Sequence, residues 1–271
     1  LILRLKVLTK LNWRFFMTVI YEINPPKISE GKNASNDEII LLLSKLQQRV
    51  SNISALCDGI HVTDSVLGTR RVSALTTGEL LKSNHPDLQI TISMRVRDKD
   101  MNSIKQIVQK SIEIGLDGIL VLKGDPSSDN SVDSGLIPSQ VVKQLNELGY
   151  GEKMNFFLSL PSDPNFEKIQ KKILAAPKGF MTQVIHSAIQ VQRISDKLRP
   201  SGFRIIPCIL LPSEKNENSA KFLNLDWSEY KENPVKFIKE IHSIAGDVLI
   251  TSPSDFTFAK DTLENLQSTK Y

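Results

Sequence analysis

The segment Leu122–Pro126 carries the clearest chemical signal, because a cation, a glycine and a carboxylate follow a buried apolar run. Parallel strands covered on both faces are nearly continuous in apolar residues, so charge at the carboxyl end of one indicates the rim of a sheet. Gly124 allows a ligand to approach the backbone closely, and Pro126 sets the direction in which the chain leaves. Lys123 and Asp125 are therefore candidate binding or catalytic residues.

Four other predicted strands end in comparable polar groups. They are Glu22 on the first strand, Thr63 and Asp64 on the second, Arg95 and Arg97 on the third, and Thr182, Gln183 and His186 on the sixth. The seventh and eighth strands end mostly in apolar residues. Together these ends form a mouth with carboxylates, an amide, a hydroxyl and cations beside apolar walls, which suits an anionic ligand with a large planar heterocycle. One histidine and no cysteine lie there, which disfavours a thiol nucleophile or a multi-histidine metal site.

The elements that must position these groups alternate between strand and helix from Met17 onward. Strands are predicted over Thr18–Asn24, Gly59–Thr63, Gln89–Val96, Gly118–Leu122, Asn155–Leu160, Phe180–Ile185, Arg204–Leu210 and Asp247–Thr251. Helices are predicted over Asp37–Val50, Val72–Lys82, Asn102–Ile114, Ser139–Leu148, Asn165–Ala175, Ala188–Leu198, Asn218–Leu223, Pro234–Ile244 and Thr257–Leu266. This order predicts a single α/β domain, a (β/α)8 TIM barrel over residues 17–271, with its chemistry at the carboxyl ends of the strands. An open doubly wound sheet is the alternative, since alternation alone does not prove closure.

Composition disfavours several kinds of partner. The formal charge of +4 is spread along 271 residues, without a block of lysine and arginine interleaved with aromatics, so no nucleic acid is expected. No apolar run approaches the roughly eighteen residues of a membrane span. Cys57 and Cys208 lie far apart in apolar contexts, as buried thiols do in a reducing compartment. We therefore expect a cytoplasmic protein.

The first sixteen residues differ from the rest of the chain. They contain four basic residues and no acidic residue, and Met17 stands directly before the first predicted strand. A basic leader can be a transit peptide, but this one is short and lacks serine. We expect residues 1–16 to be an extension, upstream of a natural start at Met17, that is not part of the fold.

At five places the sequence resembles the methylenetetrahydrofolate reductases. In chain order these places are Tyr21–Lys27 (YEINPPK), Val62–Thr63, Leu122–Pro126, Thr182–Gln183 and Ile206–Leu210. Four of them lie at predicted strand ends, and the last runs along the seventh strand. The five matches occur in the family's order and span most of the chain.

The resemblance implies a flavoprotein oxidoreductase with FAD in the barrel mouth. Such an enzyme takes a hydride from NADH or NADPH and reduces methylenetetrahydrofolate, or a related one-carbon pterin, to the methyl form for methionine biosynthesis. Glu22 falls at the family's general acid, whose pKa must be raised by burial or by a neighbouring charge. Asp125 falls beside flavin and pterin, where its charge stabilises a developing cation. Gln183 falls at an amide that hydrogen-bonds the pterin.

Six residues are expected to contact the cofactor. They are Thr63, Arg95, Lys123, Gly124, Asp125 and Lys172. The lysines suit the diphosphate of FAD, and the protein's task is to orient the cofactor and tune its electrostatics. A homo-oligomer or a partner subunit remains open.

The sequence departs from the family pattern at four points. Ser93 stands where the family has a flavin-contacting histidine, and Lys123 replaces an arginine and so loses bidentate geometry. The aromatic residues after Thr182–Gln183 are missing, and the segment Pro161–Lys168 is shortened. A flavin-free pterin-binding barrel, or a subunit that needs a partner for activity, is therefore the alternative function.

Each candidate residue also has a structural alternative. Glu22 could pair with Arg95, Asp125 could cap the loop that follows it, and Thr63 could be an ordinary β-branched strand residue. Gln183 could be satisfied by the backbone, and Lys172 could be a solvated surface lysine. His61 and His186 are expected to be hydrogen-bonded structural or surface histidines.

Overall fold

The computed structural model describes residues 18–28, 35–65, 69–126 and 133–268. The basic segment 1–16 and Met17 lie outside these ranges. Eight parallel strands close into a barrel in chain order, and the first strand pairs with both the second and the eighth. The strands are β1 (Thr18–Ile23), β2 (Gly59–Val62), β3 (Gln89–Arg95), β4 (Gly118–Leu122), β5 (Asn155–Leu160), β6 (Gly179–Val184), β7 (Arg204–Leu210) and β8 (Asp247–Thr251). The predicted (β/α)8 fold is confirmed, and closure excludes the open sheet.

Helices follow each strand and cover the outside of the barrel. They are α1 (Asn36–Ser51), α2 (Ala74–Asn84), α3 (Met101–Glu113), α4 (Pro138–Glu147), α5 (Gln170–Leu174), α6 (Ala188–Leu198), α7 (Glu217–Phe222), α8 (Pro234–Ala245) and α9 (Phe256–Ser268). Side chains that accept a backbone N–H begin several of them: Ser35 caps α1, Ser73 caps α2 and Asp100 caps α3. These caps explain why the predicted helix starts are correct to within two residues there.

The helix after β5 is much shorter than the sequence indicates. A helix was expected from Asn165, but α5 begins at Gln170. Asn165 Oδ1 instead accepts from the N–H groups of Glu167 and Lys168, at 3.0 and 3.1 Å. This is the geometry of a helix N-cap, and Ile169 N–H also donates to Asn165 O at 3.2 Å, so a single turn forms at Asn165 while the continuous helix begins only at Gln170.

Alternation along each strand divides the core into two layers. On β1, Val19, Tyr21 and Ile23 pack outward against the helices, whereas Ile20 points into the barrel. A separate apolar cluster fills the interior, and its buried members are Ile20, Leu120, Phe157, Met181, Ile206, Cys208 and Leu249. Five of these seven residues lie on the neighbouring strands β4–β7, so that side of the barrel is mainly apolar.

Two kinds of contact hold the strands at the amino-terminal end of the barrel. Asp58 Oδ2 accepts from Val19 N–H at 2.7 Å, and Asp117 Oδ2 accepts from Ile90 N–H at 2.8 Å. Gly118 leaves room for a neighbouring ring, since a Cβ there would lie 2.8 Å from Phe157 Cε2. This end is therefore closed by packing, and the opposite end is left for a site.

Candidate functional site

Closure of the barrel brings the predicted site residues to one end. Glu22 lies near the end of β1, Thr63 directly after β2, Arg95 at the end of β3 and Gln183 near the end of β6. Lys123, Gly124 and Asp125 follow β4, and Lys172 lies on α5 next to the end of β5. Parallel strands in a closed barrel all end at the same rim, and we call this rim the mouth.

Glu22 is seated inside the barrel and is bonded to a hydroxyl. Thr251 Oγ1 on β8 donates a hydrogen bond of 2.7 Å to Glu22 Oε1. Burial raises the pKa of Glu22 above its ordinary value, and the hydrogen bond from Thr251 lowers it by a smaller amount. Among the described residues Glu22 forms no ion pair, so its expected alternative role as a partner of Arg95 is wrong. A carboxyl with a raised pKa and no neighbouring cation can keep its proton closer to neutral pH.

Arg95 is buried against the glycine of the β4 rim. Its side chain is 3% exposed and forms only long contacts, 3.5 Å from Nη2 to Asp98 Oδ2 and 3.5 Å from Nη1 to Ser65 O. Its Nε has no hydrogen-bond partner in the described residues. Gly124 has a φ of +83°, and a Cβ there would lie 2.7 Å from Arg95 Cγ. Gly124 is therefore required both by its backbone conformation and by the arginine that lies against it.

Lys123 binds the chain that returns to the mouth at Asp133. Its ammonium lies 2.5 Å from Asp133 Oδ1 and donates to Leu136 O at 3.2 Å. Arg97 Nη1 lies 3.0 Å from the other carboxylate oxygen of Asp133, and Arg97 Nε donates to Gly124 O at 3.0 Å. The hydrogen bond from Lys123, followed by one from the Gly135 backbone, lowers the pKa of Asp133. In this arrangement the Lys123 charge is directed towards a protein carboxylate.

Lys172 is not a solvated surface lysine, so that alternative is wrong. Its side chain is half-buried, and Nζ donates to Ser159 O, near the end of β5, at 2.5 Å. Burial lowers the pKa of Lys172. An ammonium has three donors and only one is engaged within the described residues, so two remain for an anionic group.

Three further candidates differ in exposure. Thr63 is buried, and its hydroxyl donates to Asn24 Oδ1 at 2.7 Å, which links the ends of β1 and β2. Gln183 is exposed, and its side-chain amide has no hydrogen-bond partner in the part of the chain that the structure describes. Asp125 is exposed directly after Gly124. Gln183 and Asp125 are thus exposed at the mouth, whereas Thr63 is buried and bonded to Asn24.

A buried histidine lies inside the barrel among hydroxyl groups. His61 is 1% exposed; its Nδ1 lies 2.8 Å from Thr91 Oγ1, and its Nε2 lies 2.9 Å from Ser93 Oγ. Burial lowers the pKa of His61 to about 4, so the ring is neutral near pH 7. The expectation of a hydrogen-bonded structural histidine is confirmed for His61, while His186 is exposed at the mouth. Ser93 on β3 therefore has an imidazole beside it, and that imidazole belongs to His61 on β2.

Two inward-facing residues were missed because strands β7 and β8 looked apolar. Thr251 ends β8 and bonds Glu22, and Cys208 on β7 belongs to the interior cluster. Burial raises the pKa of Cys208 well above its ordinary value, with the Glu22 charge adding to the effect. The thiol of Cys208 therefore stays protonated near neutral pH. The signal for Thr251 was its register position, two residues after the inward-facing Leu249 on the same strand.

A groove of about 630 Å³ opens at the other end of the barrel, beside Cys57, Asp58 and residues 84–89. It contains His85 and Asp87, but within the described ranges no group of three or more histidine, cysteine and acidic side chains could hold a metal ion. No helix in those ranges combines the length and apolar character needed to cross a bilayer. The mouth, with its buried acid and its cations, is the candidate site.

Comparison with known proteins shows the family of the chain. A family model for methylenetetrahydrofolate reductase matches residues 12–247. The chain belongs to the methylenetetrahydrofolate reductase family. The match contains every residue of the mouth named above except Thr251. No curated protein matches the chain.

Solved structures with little sequence similarity share the barrel. EDTA monooxygenase (EmoA) from Chelativorans sp. BNC1 has 9% identity and a TM-score of 0.62, with 94% of each chain covered. The GH18 chitinase ChiB of Flavobacterium johnsoniae has 11% identity and a TM-score of 0.54, covering 92% of this chain and 94% of its own. Yersinia pestis DHPS, solved with a pterine-sulfa conjugate, has 10% identity and a TM-score of 0.52, covering 94% and 95%. At these sequence identities, the likeness shows that this chain shares the barrel fold with those proteins and shows nothing about its function.

Proposed function

We propose that this member of the methylenetetrahydrofolate reductase family reduces methylenetetrahydrofolate, or a related one-carbon pterin, to the methyl form with FAD and NADH or NADPH. The observation that carries the proposal is Glu22, a carboxyl inside the mouth whose pKa burial raises and which forms no ion pair with any described residue. A general acid needs a pKa near the working pH, and burial supplies that shift. The proposed setting is the cytoplasm.

The residues of the mouth fit a bound FAD in several respects. Arg95 has a buried Nε and Lys172 has two donors that no described residue engages. Gly124 lacks a side chain at the rim, and the apolar half of the interior reaches the mouth through Leu122 and Val184. When bound, FAD would accept a hydride from the nicotinamide and deliver it to the folate. Arg95 and Lys172 would hold its anionic part, beside Thr63, Lys123 and Gly124.

The protein's own groups would act on the pterin. Glu22 would donate its proton to the folate as the one-carbon bridge opens, and the raised pKa supports this role. Asp125 would place a negative charge beside the cation that then develops, and its exposure at the rim leaves it accessible. Gln183 would hydrogen-bond the pterin with an amide that has no partner in the described residues.

A flavin-free pterin-binding barrel, or a subunit that depends on a partner, is the second candidate. The observation that favours it is the pairing of Lys123 with Asp133, because a lysine held by a carboxylate is less available to a diphosphate. Thr63 is likewise engaged, by Asn24. If this candidate is correct, purified protein binds a reduced folate but neither contains FAD nor takes it up.

A visible absorption spectrum of the purified protein, before and after addition of FAD, separates the two candidates. We expect a flavin spectrum that NADH or NADPH bleaches under anaerobic conditions. Glu22→Gln should keep the flavin and its reduction by nicotinamide but slow the folate half-reaction roughly 100-fold to 10,000-fold. A colourless protein that takes up no FAD would refute the proposal. Equal slowing of both half-reactions would show that Glu22 has a structural role.

A further inference from the structure

We propose that Thr251 is a positioning residue that orients the Glu22 carboxyl and directs its acidic proton to Oε2. Thr251 ends β8, and the pairing of Tyr21 with Ile250 places it beside Glu22 across the closure of the barrel. Its hydroxyl lies 2.7 Å from Glu22 Oε1, and the residue is 7% exposed. Its backbone is held too, because Thr251 O accepts from Leu211 N–H at 3.0 Å. This inference rests on the proposed function, in which Glu22 is the acid.

The direction of the hydrogen bond determines which oxygen carries the proton. If the proton were on Oε1, the Thr251 hydroxyl would have to accept it and send its own hydrogen to another acceptor. In the described residues the Thr251 hydroxyl has no other hydrogen-bond partner, and a buried hydroxyl donor left unpaired costs free energy. Thr251 therefore donates to Oε1, and the acidic proton of Glu22 lies on Oε2.

The same hydrogen bond sets the acidity of Glu22. A donor to the carboxylate stabilises the charged form, so Thr251 lowers a pKa that burial raises. The other titratable groups around Glu22 stay uncharged near neutral pH. Burial holds Cys208 as a thiol and His61 neutral with a pKa of about 4, and it raises the pKa of Tyr21 to about 12. Removal of the Thr251 hydroxyl should therefore change Glu22 alone.

The test measures the pKa of Glu22 directly, in protein labelled with ¹³C at the glutamate carboxyl, with the Glu22 signal assigned by its loss in Glu22→Gln. Thr251→Val removes the hydroxyl at nearly constant volume and should raise the pKa of Glu22, whereas Thr251→Ser should keep the wild-type value. Thr262→Val is the matched control, because Thr262 is also buried and its hydroxyl donates to Phe258 O at 2.7 Å on α9. This arm needs neither flavin nor turnover. An unchanged Glu22 pKa in Thr251→Val, or an equal shift in Thr251→Ser, would overturn the inference.

A kinetic arm tests the orientation. In protein loaded with FAD, Thr251→Val should slow the folate half-reaction roughly 10-fold to 100-fold and shift its pH profile upward, while reduction by nicotinamide is unchanged. Thr251→Ser should restore both the rate and the profile. Failure to bind FAD would refute the proposed function but leave the titration result standing. If Thr251→Val does not fold, Thr251→Ala removes the same hydroxyl and takes its place in both arms.

Discussion

At the scale of single residues, the acidity of Glu22 results from two opposing effects. Burial inside the barrel favours the neutral acid, and the Thr251 hydroxyl favours the carboxylate. Burial is the larger effect, and no ion pair with Arg95 reverses it. An acid whose pKa in the folded protein exceeds that in the unfolded chain reduces native stability as the pH rises through that range. The raised pKa of Glu22 therefore lowers native stability at neutral pH and helps the carboxyl to keep its proton in the mouth.

Glu22→Gln should make the protein more stable at pH 8 while removing folate turnover. The amide cannot ionise, and its oxygen can still accept from Thr251. Near pH 4.5, the ordinary pKa of the group, the two proteins should unfold at similar urea concentrations. The difference should grow with pH by about 1.4 kcal/mol for each unit by which burial raises the pKa. Urea unfolding across this pH range measures it, and a variant that is less stable at pH 8 would show that the carboxylate stabilises the fold.

At the scale of elements, the end of β4 and the end of β3 form one unit. Arg95 lies across Gly124, Arg97 donates to the carbonyl of Gly124, and Arg97 and Lys123 share the Asp133 carboxylate. The backbone continues the pairing beyond the strands, because Arg97 N–H donates to Lys123 O at 3.1 Å. The position of Asp125 at the mouth therefore depends on side chains from another strand.

Gly124→Ala should destabilise the protein more than Gly135→Ala. Both glycines have a positive φ, of +83° and +73°, but a Cβ at Gly135 meets nothing within 4 Å, whereas one at Gly124 collides with Arg95. The backbone strain should cost about 1 kcal/mol at either position, and displacement of Arg95 should add about 1–3 kcal/mol at Gly124. Urea unfolding of the two variants gives the difference, and FAD titration shows whether the cofactor site moves with it. Equal losses would mean that Arg95 adjusts without cost.

At the scale of the whole molecule, the barrel interior is divided by chemistry. Strands β1–β3 contribute Glu22, His61, Thr91 and Ser93, whereas β4–β6 contribute Leu120, Phe157 and Met181. The polar half is stable because its buried groups bond one another, as His61 does with two hydroxyls. A protonated His61 would place a charge in the interior, so the fold itself should be sensitive to acid.

His61→Gln should weaken the dependence of stability on pH in the acidic range. The unfolded chain protonates this histidine near its ordinary pKa of 6.5, but the folded protein resists until about 4. Stability from the neutral ring is therefore complete above pH 6.5 and is lost as the pH falls towards 4, by up to about 1.4 kcal/mol per pH unit. Urea unfolding from pH 7 to pH 4 should show a shallower slope in the variant. His186→Gln, at an exposed position, should keep the wild-type slope, and a wild-type slope in His61→Gln would contradict the assignment.

The sequence alone was sufficient for the architecture, and it predicts the mouth as the location of the site. Buried strands such as Gly118–Leu122 and Arg204–Leu210 are apolar runs between turn signals, so local pattern defines their limits, and eight of them in alternation with helices indicate a barrel. Polar residues at the strand ends then mark the mouth, because parallel strands must end together. The motifs around Glu22, Lys123 and Gln183 also indicated the family, which the match over residues 12–247 shows.

Only the tertiary structure determined which of these groups are partners. Thr251 and Glu22 are 229 positions apart, and they meet because the last strand closes on the first. Arg95 contacts Asp98 and Gly124 and forms no ion pair with Glu22, and Lys172 on α5 donates to Ser159 O on β5. Strand and helix patterns depend on neighbours along the chain, whereas hydrogen bonds and desolvation depend on neighbours in space. The pKa of Glu22 belongs to the second kind, and so its proton could be located only in the folded barrel.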